Sequence, residues 1–147
     1  MSVDKEREYS ELLSFVSVFA THVWNVDAAD PVHPANVAEH IAATRGKAQA
    51  LVGARQAAND AIESLRSFTQ QRFAVLDARL HQAGSVTLAE MCRRYSWQYK
   101  TVLRRGSIRN DTEFYLVKGI LDSCTESLSQ DAQAALSSLL LAFEQSS

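Results

Sequence analysis

The stretch NVAEHIAATRGKAQALVGARQAANDAIESLRSFTQQRFAVLDARLHQ, from Asn36 to Gln82, holds no proline and repeats apolar or small side chains at spacings of three and four. Val37, Ile41, Thr44, Ala48 and Leu51 begin the stripe, Ala58, Ile62 and Leu65 continue it, and Phe73, Leu76 and Leu80 close it. That is the period of one helix face. Alanine, glutamine, glutamate, arginine and leucine fill the positions between, and all are good helix formers. The stripe has defects. Arg55 interrupts it, its phase slips between Leu65 and Phe73, and Gly46 and Gly53 each weaken a helix by about 1 kcal/mol against alanine. An unbroken helix of this span would be about 70 Å long, whereas a compact chain of this size has a radius of gyration of about 15 Å. Either the helix breaks near Gly46–Gly53, or the molecule is elongated around one long central helix. Without a proline to assist the glycines, the second reading is preferred, with the helix at about 36–82.

Upstream, Tyr9, Leu12, Val16, Phe19, Val23 and Val26 alternate at three and four, and Leu13, Ala20 and Trp24 form a second stripe beside them. A helix from about 4 to 26 with so broad an apolar surface is buried on several sides. Pro31 and Pro34 end it and open the next element, and the short link folds it back as a hairpin over 4–82. Downstream, Gly84 is a helix stop. Thr87 and Glu90 then form a capping box, with Val86 placed to staple onto Met91. Further helices are expected up to Tyr95 or Ser96, through Trp97–Leu103 to Gly106, after Asn110, and after Ser129, with fraying at 145–147. The expected fold is all-α. It is an elongated bundle in one domain over 1–147, with the hairpin 4–82 and a C-terminal helical subdomain at 86–144.

The composition is ordinary for a globular protein. The apolar share is 46% and the net charge is −2 at neutral pH, so the whole chain is no polycation. Cys92 and Cys124 lie far apart without a C-x-x-C partner, which fits reduced core thiols. The apolar run from Leu12 to Val26 is too short for a membrane span of about 20 residues, and the acidic start is no secretory leader. The expectation is a cytoplasmic protein with no membrane partner.

Most catalytic signatures are missing. Gly46-Lys47-Ala48 lacks the rest of a P-loop. No zinc spacing and no nucleophile elbow is present. His22, His33, His40 and His81 are scattered and read as surface or interface side chains, so neither a metal nor another cofactor is expected. The cysteines have no neighbouring base that would activate a thiolate.

One segment stands apart. Leu88–Arg105, LAEMCRRYSWQYKTVLRR, places Cys92 at its fifth position, Ser96 at its ninth and Val102 at its fifteenth, with Met91, Tyr95 and Trp97 as apolar positions between. In that spacing it resembles a helix-turn-helix. It departs from the pattern at Ser96, where glycine is usual, and at Arg105, where an apolar residue is usual. Arg93, Arg94, Lys100, Arg104, Arg105 and Arg109 cluster here with no acid from 93 to 109. The resemblance implies that these cations meet phosphates while Gln98 and Thr101 reach base edges. The alternative is that the aromatics Tyr95, Trp97 and Tyr99 are core and the arginines pair with acidic faces of neighbouring helices or of a partner.

Two functions follow as expectations. The first is a non-enzymatic helical interaction or regulatory protein, self-associating as a dimer through Leu12, Val16, Phe19, Val23, Leu51, Ile62 and Leu65. The second is a small DNA-binding regulator that uses the 88–105 segment. An enzyme is the least supported class, because no general base has an evident partner.

Overall fold

The structure is a computed structural model that describes residues 1–146. Among them are eight α-helices and no strand: α1 Val3–His22, α2 Pro34–Arg45, α3 Lys47–Ser64, α4 Gln70–Gln82, α5 Leu88–Tyr95, α6 Trp97–Arg105, α7 Asp111–Ser123 and α8 Gln130–Ser146. The fold class is all-α. The backbone groups into two compact units, the first Met1–Thr87 and the second beginning at Leu88.

The long central helix does not form. Residues 36–82 fall in three helices, with corners at Gly46 and at residues 65–69. Gly46 adopts φ 94° and ψ 160°, a region open in practice only to glycine. Its N–H still bonds the Ala42 carbonyl and its own carbonyl accepts from Ala50, so the chain changes direction without losing either bond. The second corner is a 3-10 turn at Leu65–Ser67, followed by extended Phe68 and Thr69. Thr69 caps α4 by accepting from the Arg72 N–H. The slip in phase between Leu65 and Phe73 marks this second break. The turn stacks Phe68 on Phe19, with ring centroids 6.3 Å apart.

Within the first unit, α1 packs against α2, α3 and α4. Leu12, Phe15, Val16, Phe19 and Ala20 are fully or almost fully buried, and Ala50, Leu51, Ala54, Ala58, Ala61 and Ile62 of α3 are buried as well. The alanines let the helices approach closely. Arg55, the defect in the apolar stripe, donates two hydrogen bonds to the Glu8 carboxylate and so tethers α3 to α1.

α1 stops at His22 rather than running to 26. The Val23 and Trp24 amides both bond the Phe19 carbonyl, Val26 bonds that of Ala20, and Asn25 takes φ 55°. Asparagine tolerates that left-handed backbone. Buried His33 corrects the surface reading of that residue. Its Nδ1 accepts from the Ala35 N–H and caps α2, which leaves Nε2 to carry the proton it donates to Thr21 Oγ1 at 3.1 Å. The ring therefore ties the end of α1 to the start of α2.

The self-association set needs a correction too. Leu12, Val16, Phe19, Leu51 and Ile62 are buried within the chain, and Val23 and Leu65 are half-buried. Within one copy α3 and α4 each pack on α1 and cover these side chains, while Val37, Thr44 and Ala48 of the same stripe stay exposed.

In the second unit, α7 packs against α5, α6 and α8. Val117 and Ile120 of α7 are fully buried, as are Leu88, Met91, Val102 and, on α8, nearly all of Leu136. Phe114 meets Phe143 of α8 with ring centroids 5.4 Å apart. Gln145 and Ser146, expected to fray, remain helical, and Ser147 lies outside the described residues.

Candidate functional site

The segment that resembles a helix-turn-helix forms α5 and α6, joined by Ser96 alone. Ser96 is extended, at φ −70° and ψ 117°, and its Oγ accepts from the Tyr99 N–H to cap α6. A left-handed turn residue is not needed there, so serine fits where glycine is usual. Gly106 ends α6 in the left-handed region at φ 75°. Asn110 caps α7 by accepting from the Glu113 N–H.

The other departure, Arg105, is explained by Glu113. This carboxylate is buried and accepts from the Arg105 guanidinium and from the Arg109 backbone N–H. Arg105 also donates to the Ser107 carbonyl. Where an apolar side chain would pack, a neutralised ion pair holds the α6–α7 loop instead.

Glu90 does the same for α5. Arg93 donates to both of its oxygens at 2.8 and 2.6 Å, and Arg94 donates to one of them at 2.7 Å. The Arg93 hydrogen bonds, aided by Arg94 and opposed by partial burial, hold the Glu90 carboxyl down at about 2. The same contact raises Arg93 further above its ordinary value. Cys124 lies beside this cluster. Burial, reinforced by the negative charge of Glu90 and a hydrogen bond to it, pushes its thiol up to about 11. Burial also raises the Tyr99 phenol.

The basic patch is therefore about half neutralised. Arg93, Arg94 and Arg105 are paired with Glu90 and Glu113, two acids that flank the 93–109 window and reach into it. Lys100, Arg104 and Arg109 are exposed and form no ion pair among the described residues, and Gln98 and Thr101 are half-exposed. On α6 the residues Trp97, Lys100, Thr101 and Arg104 recur at helical spacing and so share one face. Trp97 is not a core position: it is 59% exposed, while Tyr99 is buried.

A second concavity lies in the first unit, where the end of α1 meets α4. His22, Val23, Phe68, Arg72, Val75 and Arg79 line most of a cleft of about 290 Å³. Sequence reasoning missed it. The signal that could have found it is the spacing of Arg72, Val75 and Arg79 by three and four, which places two cations and a valine on one face of α4. Among the described residues no three His, Cys, Asp or Glu side chains gather as a metal site, and no helix is long and apolar enough to cross a membrane.

No known family model, curated protein or solved structure matches this chain. The site is therefore read from its own residues.

Proposed function

We propose that this chain is a non-enzymatic helical interaction protein of the cytoplasm, a regulator or adaptor that acts by docking. The observation that carries the reading is the outer face of α6. An exposed tryptophan, Trp97, stands there beside the exposed Lys100 and Arg104, with Leu103 43% exposed on the same short helix. Tryptophan and arginine are over-represented among the residues that dominate interface energies. The ionisable groups nearby support docking over chemistry. Glu90, Arg93, Arg94, Arg105 and Glu113 are committed to one another, and a thiol held near 11 is protonated at neutral pH and a poor nucleophile. Both cysteines are free and buried, in keeping with a reducing compartment.

The test is a photo-crosslinker placed on α6, compared between the wild-type protein and a Trp97→Ala/Leu103→Ser variant whose circular dichroism is unchanged. A partner lost from the variant supports the reading, and identical capture by both refutes it. Self-association belongs to the same proposal, but through exposed apolar side chains rather than the buried set. Light scattering should then give twice the monomer mass.

A second reading, duplex DNA binding by α6, is favoured by Lys100, Arg104 and Arg109 having no carboxylate partner among the described residues. Three phosphate contacts per copy would give a slope of log affinity on log salt of about −2.7. Removing Lys100 and Arg104 together should flatten it by about 1.8, while Arg93→Ala should change it little. Duplex affinity indifferent to the Lys100 and Arg104 substitutions would end this reading.

A further inference from the structure

The cleft where the end of α1 meets α4 has a chemistry of its own. Its cations are Arg72 and Arg79, with the His22 ring beside them, no carboxylate is among its lining residues, and neither arginine has an ion-pair partner among the described residues. The Arg72 guanidinium carbon lies 4.0 Å from the centre of the Phe68 ring, so the cation is pre-positioned by the aromatic face rather than by an acid. Between the two arginines stands Val75, 55% exposed, with Val23 and Phe68 lining the apolar part. Trp24, one residue beyond Val23, is 41% exposed and packs edge-on against Phe19.

From this arrangement we infer that the cleft docks an acidic amphipathic helix of a protein partner. Arg72 and Arg79 are seven residues apart on one helix, a rise of about 10 Å. A second helix lying along α4 places two carboxylates at that separation when they stand seven residues apart, and a Leu or Phe between them falls over Val75. A fatty-acid anion has one charged head and would engage only one arginine. At about 290 Å³ the cleft sits at the lower edge of enclosed small-molecule sites and suits one or two inserted side chains. The inference rests on the reading of the chain as a docking protein, but on a different surface. A Trp97→Ala variant that loses its partner yet keeps the binding described next would separate the two.

The experiment is an array of labelled helical peptides. Each carries a Leu-Phe pair between two glutamates spaced four, seven or eleven residues apart, and each is set beside its glutamine counterpart. Binding is read by fluorescence anisotropy at low and at physiological salt. The seven-residue spacing should bind best, weaken with salt, and shift the amide resonances of Val23, Phe68 and Val75. Arg72→Gln/Arg79→Gln should weaken it by about tenfold or more, with Arg45→Gln as an unaffected control and circular dichroism confirming the fold of each variant. Glutamine peptides that bind equally, or affinity untouched by the paired substitution, would overturn the inference. So would laurate binding in place of the peptides, or a dimer in light scattering that the paired substitution abolishes, since these assign the cleft to a lipid anion or to a second copy.

Discussion

At the scale of single residues, Glu90 and Cys124 make opposite demands on pH. The Glu90 carboxyl sits at about 2 in the folded chain against an ordinary 4.5, so its contribution is fully present above 4.5 and is lost as pH falls toward 2. With both arginines partly solvated, that contribution is about 2 kcal/mol. The Cys124 thiol sits at about 11 against 9, so its contribution is present below 9 and is lost as pH rises toward 11. Urea unfolding across pH should show both limbs. Glu90→Gln should flatten the acid one, and Cys124→Ser should reduce the alkaline one without abolishing it, because Tyr99 is raised as well. The two acids that shape the basic patch were only half legible in the sequence. Glu90 was read as a capping-box residue, and it also clamps Arg93 and Arg94. Glu113 lies in the first turn of the helix expected after Asn110, and nothing in a linear pattern says that its carboxylate turns back eight residues to Arg105. Such contacts depend on how the α6–α7 loop folds, which spacing alone does not encode.

At the scale of elements, the helices were legible from periodicity and caps, and their ends were less so. Gly84 and Asn110 end and open helices where the sequence places them. In α4 the Ser85 and Gly84 amides return to the Leu80 and His81 carbonyls, the bond pattern of a glycine-terminated helix. The corner at Gly46 was weighed and set aside, because glycine inside a helical pattern is usually tolerated. What decides it is the backbone that Gly46 adopts. A Cβ there would meet nothing within 4 Å, so the cost of Gly46→Ala is conformational and amounts to about 1–3 kcal/mol. Gly119 gives the opposite outcome. It lies within α7, a Cβ there also meets nothing within 4 Å, and its φ is ordinary. Gly119→Ala should stabilise by about 0.4–1 kcal/mol. Thermal or urea unfolding of the two variants side by side checks both signs, and a Gly46→Ala protein as stable as the parent would contradict the account of the corner.

At the scale of the whole molecule, the two units each enclose their own buried residues. A fragment ending at Thr87 is expected to keep a helical circular dichroism spectrum and a cooperative melt, because Leu12, Phe15, Phe19, Leu51 and Ile62 all lie within it. A fragment that gives a broad, non-cooperative melt would disprove this. The all-α class was plain from composition and period. The division at residue 87 coincides with the capping signal at Thr87, yet the expected hairpin gave way to four helices once the long helix broke twice. That break also sets how the chain can change over descent. Every single-base change that replaces the glycine with another residue installs a Cβ, and none of those residues settles comfortably at φ 94° and ψ 160°. Any lineage that retains this corner must retain glycine at position 46 while the helical faces around it drift. That one residue is then a fixed point from which distant relatives can be aligned.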